Sequence, residues 1–331
     1  MTTTAARARE SRWTLLPAAV AALVALALNH LVPLVSPLLI ALLIGAVLAN
    51  TRLATTAVMS QQARATRTLL RIGVVLLGLK LPASDIVQIG PPGLVVIVAT
   101  VTVTYVATIV IGDLLRLERG LVTLLAAGFS ICGAAAIAAV EDSARATRRD
   151  VALAVAMVTL YGSAMIALVP WLSHVLGLST EQGAIWAGAS IHEVAQVAAA
   201  ASILGTSAIA VAMTVKLGRI MLLAPVHLLA SRRGRAGATG RSTAGRTPLV
   251  PWFVIGFALA VALRSSGLLG SDVLEVTDLM TSFLLAAGMF GLGVGIRLLD
   301  LWPVPPRALA LATISTLVAA GTALGLILAL T

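Results

Sequence analysis

The chain has 331 residues, of which 59% are hydrophobic and only 11% charged, with a mean hydropathy of +1.04. A soluble domain of this length cannot hide that much apolar surface, so the composition excludes one and reads as a polytopic membrane protein. The net charge of +10 comes from 23 Lys/Arg against 13 Asp/Glu, spread mostly over short connecting segments, which is the pattern of cytoplasmic loops and not of nucleic-acid binding.

At the start, Arg7, Arg9 and Arg12 precede an apolar run from Leu15 to Leu28. Such a start resembles a signal peptide, with Ala25-Leu26-Ala27 as a cleavage site. More membrane follows instead of a secreted domain, so a retained first span is preferred. Apolar segments able to cross a bilayer, at about 20 residues each, fall at 14–31, 37–50, 68–81, 93–112, 150–170, 207–230, 249–265, 279–298 and 307–330. Two more, 120–140 and 183–202, are rich in small residues. The expected fold is all-α, with about nine spanning helices plus two re-entrant or discontinuous segments. One transmembrane transporter domain would cover residues 1–331, with 1–13 a cytoplasmic tail. Residues 51–67, with Arg52, Arg64 and Arg67, form a polar or amphipathic connector, and the Gly-, Ser- and Arg-rich 231–247 a flexible cytoplasmic loop.

Loop charge sets the orientation, with the N-terminus inside. If 120–140 crossed fully, Arg145, Arg148 and Arg149 would lie outside and the Lys/Arg-free 171–182 inside. If 120–140 and 183–202 instead dip in and return from opposite faces, those arginines stay inside and 171–182 outside. Charge favours two re-entrant hairpins.

The two dipping segments share one phrase. Gly128 to Ala139 reads GFSICGAAAIAA and Gly188 to Ala199 reads GASIHEVAQVAA, a common frame of G-x-S-I-x-x-x-A-x-x-A-A. A second match sets GLKL (Gly78 to Leu81) beside GIRL (Gly295 to Leu298), each followed by a proline pair, Pro91-Pro92 and Pro305-Pro306. Repeats on spans of opposite direction are how many secondary transporters build alternating access.

Irregular backbone at membrane depth needs protein or a water-filled cavity around it, and Gly and Ala let it pack closely. A helix beginning just after Gly128-Phe129-Ser130 or Gly188-Ala189-Ser190 would expose unpaired N–H groups and the positive end of its dipole, with a serine hydroxyl beside them. That is an anion site. In the second copy, helical spacing puts His192 and Gln196 on one face with Glu193 about 100° around. Ionisable groups at this depth face a cavity or a partner, so His192 and Glu193 are candidates for proton coupling. Lys216 lies too deep in 207–230 to snorkel, and either pairs with Glu193 or faces the anion. Arg219 shares its face and could instead reach the headgroups. Lys80 and Arg297 read as interfacial anchors.

There is no Gly-rich phosphate loop ending in Lys-Ser/Thr, and His192-Glu193 is not followed by the second histidine of a zinc protease. The one cysteine, Cys132, excludes an intramolecular disulfide and a Cys-cluster metal site. No cofactor is expected.

Three segments, SICGAAAIAA (Ser130 to Ala139), SIHEVAQVAA (Ser190 to Ala199) and VKLGRIMLLAP (Val215 to Pro225), resemble the hallmarks of the sulfate exporter family of bacterial inner-membrane proteins. The likeness runs from about residue 37 onward. It implies membership of the cation/proton antiporter and anion transporter superfamily, a multi-pass inner-membrane location, and an inverted-repeat fold with discontinuous helices. Ala135 departs from the family, which commonly has serine there.

Together these readings point to a secondary active transporter of small inorganic or organic anions, exporting sulfate or a related sulfur oxyanion or sulfonate with protons. The expected substrate-binding set is Gly128, Ser130, Ile131, Cys132, Gly133, Ser190, His192, Gln196 and Lys216, with Glu193 or His192 carrying protons. Its partners would be the anion, protons and the lipid bilayer, with a homodimer as one allowed assembly. A Na⁺/proton antiporter built on Glu193 is the alternative, and a membrane-embedded enzyme a remote one, since no nucleophile or metal set accompanies the His-Glu pair.

Overall fold

A computed structural model of the chain describes residues 15–31, 37–51, 57–80, 84, 90–236, 252–294 and 304–330. Every regular element among them is helical. In order these are α1 (Leu16–Leu31), α2 (Pro37–Ala49), α3 (Ala57–Leu77), a 3-10 turn (Gly78–Lys80), α4 (Gly90–Leu114), α5 (Arg119–Ser130), α6 (Ala134–Ala144), α7 (Arg148–Val175), α8 (Thr180–Ser190), α9 (Val194–Leu204), α10 (Thr206–Met221), α11 (Leu223–Ala236), α12 (Trp252–Ser265), α13 (Ser271–Val294) and α14 (Pro306–Leu330). Five stretches are long and apolar enough to cross a membrane: Gly90–Leu114, Arg148–Val175, Thr206–Gly234, Ser271–Val294 and Pro306–Leu330.

The burial pattern has the polarity that lipid demands. Along α4, Thr100, Thr104 and Thr108 are buried while Val95, Val98, Val103, Val106 and Val110 are exposed. Thr108 shares a 2.8 Å hydrogen bond with Ser315 on α14. Water would reverse this arrangement, whereas hydrocarbon rewards apolar side chains outside and paired hydroxyls within. These long apolar helices make the chain a polytopic membrane protein.

The chain divides into two compact units. One comprises residues 1–80 and 266–302, the other residues 81–265 and 303–331. In the first, α13 packs on α1, α2 and α3. Its glycines permit close approach: a Cβ on Gly293 would strike the Leu42 carbonyl, and one on Gly288 would stand 2.5 Å from Leu70 Cβ. The expected connector at 51–67 is corrected in part here, because from Ala57 onward it is continuous with the following span as one 21-residue helix. Lys80, expected as an interfacial anchor, pairs with Asp278 at 3.0 Å. Residues 1–13, Arg297 and the GIRL repeat lie outside the described residues, as does 237–247. Ser231 to Ala236, assigned to the flexible loop, continue α11 as helix.

The second unit holds both small-residue segments, and each is broken. A three-residue gap at 131–133 separates α5 from α6, and one at 191–193 separates α8 from α9. The second break comes sixty residues after the first, as do both ends of α9 relative to α6, so the sequence frame is reproduced element by element.

Candidate functional site between two hairpin tips

Each broken helix folds back on itself. A Cβ on Gly120, at the start of α5, would stand 3.0 Å from the Ala146 Cα just past α6. At the second, a Cβ on Gly183 in α8 would stand 3.3 Å from the Leu204 side chain that ends α9, and Gly205 lies against Thr180. Both segments are therefore hairpins with closed mouths and tips at 131–133 and 191–193.

The mouths lie at opposite ends of the unit. Helix α7 leaves the first mouth at Arg148, passes the tips at Val158 and Gly162, and ends at the second mouth. The return path, α10 and α11, starts at the second mouth and reaches the tips at Lys216 and Arg219. It ends where Gly234 abuts the Ser143 carbonyl of the first mouth. At 1.5 Å per residue, its 29 residues from Thr206 to Gly234 cover about 43 Å, enough to cross a bilayer with the tips near mid-depth. The unit is thus two hairpin-and-span modules of opposite direction.

Two cations bind the tips together. Lys216 Nζ donates to the Ile131 carbonyl at 2.7 Å and to the Ile191 carbonyl at 2.8 Å. Arg219 donates from Nε and Nη2 to Ser130 O (3.1 and 2.7 Å), from Nη2 to Phe129 O (3.0 Å), and from Nη1 to Gly188 O (3.2 Å) and Ile191 O (3.1 Å). Both side chains are fully buried. The carbonyls they hold belong to the last turns of α5 and α8 and to their capping residues Ile131 and Ile191, where no intrahelical donor is available and the dipole is negative. The cations supply both the hydrogen bonds and the charge.

That arrangement corrects two sequence expectations. Gly128 to Ser130 and Gly188 to Ser190 close α5 and α8, so carbonyls cluster there, and the helices expected just after them begin at Ala134 and Val194. The serine hydroxyls donate within their own helices, Ser130 to Ala127 O (3.4 Å) and Ser190 to Trp186 O (2.6 Å). Arg219 does not run to the headgroups. It stands in the middle of a 29-residue span, a position legible in the sequence but open to a snorkelling interpretation.

The amide ends lie one turn further on. The cap of α6 is Gly133 (φ 73°, ψ −130°), and the cap of α9 is Glu193, the matching position in the frame. Glu193 and Gln196 form a capping box. The Glu193 N–H donates to Gln196 Oε1 at 3.1 Å, and the Glu193 side chain faces the Gln196 N–H. Gln196 Nε2 also donates to Thr159 O (3.3 Å) and Ser163 Oγ (3.4 Å) on α7. Helical spacing does not describe His192 and Glu193, because both precede the helix.

Glu193 reaches across to the other tip. Its carboxylate lies near the Ala134 N–H, the first amide of α6, and its Cγ lies 2.7 Å from where a Cβ on Gly133 would stand. Its Oε1 has no hydrogen-bond partner in the structure. His192 packs its ring edge-on against Phe129, centroids 4.6 Å apart, with Nε2 3.4 Å from Thr316 Oγ1 on α14. Cys132 is buried and free. Phe129, Thr159 and Thr316 are additions that sequence reasoning missed, and no local motif marks them. Among the described residues no group of three His, Cys, Asp or Glu could hold a metal ion.

The family described as Conserved hypothetical protein 698 matches residues 13–312, nearly the whole chain. The chain belongs to that family. Within the Conserved hypothetical protein 698 family, it is 42% identical over 310 residues to a UPF0324 membrane protein of Corynebacterium glutamicum, covering 94% of this chain and 90% of that one. It is 39% identical over 252 residues to a UPF0324 membrane protein of Bordetella bronchiseptica, covering 74% and 78%. A UPF0324 membrane protein of Listeria monocytogenes is 32% identical over 264 residues, covering 79% and 78%. No solved structure matches the chain. These names carry a membrane location and no substrate.

Proposed function

We propose that this protein is a secondary active transporter of small anions, exporting sulfate or a related sulfur oxyanion or sulfonate together with protons across a bacterial inner membrane. The observation that supports it best is the charge count at the tips: two fully buried cations, Lys216 and Arg219, against one buried carboxylate, Glu193. Charges at membrane depth are costly and persist where a pathway needs them. A net positive side-chain charge between two broken helices draws an anion and repels Na⁺. This weighs against the cation/proton antiporter. Hairpins that meet from opposite ends suit alternating access, since either can open its own side. The bound ion would lie among the tip residues Ile131 to Gly133 and Ile191 to Glu193, with Lys216 as counter-charge. Glu193 or His192 would carry the proton, and no chemical conversion of the anion is part of the cycle. The superfamily assignment and the N-terminus-inside orientation belong to the same proposal.

The test is flux in proteoliposomes with radiolabelled sulfate, sulfite, taurine and Na⁺, with and without a pH gradient. Movement of one of the anions, enhanced by the gradient, is expected. Na⁺ movement without any anion flux would overturn the proposal in favour of the antiporter.

A further inference from the structure

The first turn of α6 already faces an acid side chain, and it comes from the protein itself. Gly133 caps this 11-residue helix without a side chain, and Glu193 from the opposite hairpin packs against that cap, near the Ala134 N–H. Only glycine permits the approach. Its φ of 73° disfavours any side chain, and a Cβ would collide with Glu193 Cγ. Glu193 is 4% exposed, yet its Oε1 has no partner and lies 3.3 Å from that Cβ position. A buried carboxylate oxygen without a donor is a costly vacancy, of the kind functional sites keep.

The groups around it are few. Lys216 faces it from α10 and Cys132 from the first tip, with His192 its neighbour in the chain. Helix α7 contributes the apolar Val158 beside Gly133, and α14 the hydroxyl of Thr316 beside His192. Only Glu193 among them carries negative charge.

We infer that Glu193 is a tethered stand-in for the transported anion, holding the α6 amide terminus between transport events and yielding it when protonated. This rests on the anion-transport reading. Two negative groups cannot share one helix N-terminus, so a substrate anion and the ionised carboxylate exclude each other. One proton taken onto the carboxylate removes the competitor as one anion arrives, and leaves the carboxylate when the anion departs. Coupling of one proton to one anion then follows from competition for a single seat.

The experiment is isothermal titration of the purified full-length protein with sulfate, sulfite and taurine between pH 5.5 and 8.5. By linkage of one proton to one anion, wild-type affinity should weaken about tenfold per pH unit wherever the carboxyl is ionised. Glu193→Gln should bind sulfate, whose charge is fixed over this range, with no pH dependence, and more tightly than wild type at pH 8. Glu193→Asp, which keeps the charge, should keep the slope. A wild-type affinity independent of pH overturns the stand-in while leaving anion transport intact, and needs no variant. So does a Glu193→Gln protein that binds no tighter than wild type at pH 8. If the wild type binds none of the three anions at any pH, the transport reading itself fails.

Discussion

Ile131 and Ile191, sixty residues apart, turn their carbonyl oxygens onto one ammonium, that of Lys216. Lys216→Met keeps the bulk and removes the charge, leaving two buried carbonyls without their donor. At roughly 1–3 kcal/mol for each unsatisfied group, a loss of about 3 kcal/mol is expected. A lower unfolding midpoint in detergent and abolished sulfate flux in proteoliposomes would both register it. Flux retained at the wild-type rate would remove Lys216 from the anion site.

Arg219→Lys is expected to behave as a severe substitution despite the preserved charge. The guanidinium makes five hydrogen bonds that span both hairpins, and a single ammonium cannot reach the Phe129–Ser130 and Gly188–Ile191 carbonyls together. A destabilisation of about 2–4 kcal/mol is expected from the lost bonds. Hydrogen exchange should speed up at both tips at once. Faster exchange at only one tip would show that Arg219 does not couple them.

Two glycines at positive φ make a comparison. Gly133 and Gly177 have φ of 73° and 66°, where alanine is strained at both, and Gly133 also takes a ψ of −130°. Around Gly177 the space is open, whereas at Gly133 the Cβ meets Glu193 Cγ at 2.7 Å. Gly177→Ala should transport like wild type, and Gly133→Ala should lose transport. Equal behaviour of the two would mean that the contact with Glu193 is unimportant.

Gly162→Ala probes the support behind Glu193. A Cβ there would drive into the Gln196 amide, forcing apart the capping box that starts α9. The cap is worth about 1 kcal/mol, so the protein should fold, with a modest fall in unfolding midpoint and a larger fall in flux. The same change at Gly321 on α14, where nothing lies within contact distance, is the control.

Topology can be read directly, since the lone Cys132 is buried and replaceable by alanine. Cysteines placed at Arg145 and Ser179, at the two mouths, should be labelled by a membrane-impermeant maleimide from opposite sides. Labelling of both from one side would exclude hairpins that enter from opposite faces.

How much of this was legible in advance can be judged residue by residue. The two hairpins showed in the sequence because each needs small residues at a tight tip, so the Gly-x-Ser-Ile frame had to appear twice. Lys216 was legible because a charge in mid-span has few uses. The direction of the helices at the breaks was not. Gly, Ser and Ala serve equally before or after a turn, and only the packed tips show that the serines close α5 and α8 while Gly133 and Glu193 open α6 and α9.

By itself, then, the sequence determined the membrane class, the helical content and the paired breaks, since hydropathy and small-residue spacing act locally along the chain. The tertiary structure alone decided that Arg219 joins Lys216 at the tips, that Thr159 and Thr316 complete the site, and that Glu193 sits at the helix terminus of the other hairpin. Those contacts join residues far apart in the chain, and they form only when two hairpins meet around one span, an event no local pattern encodes.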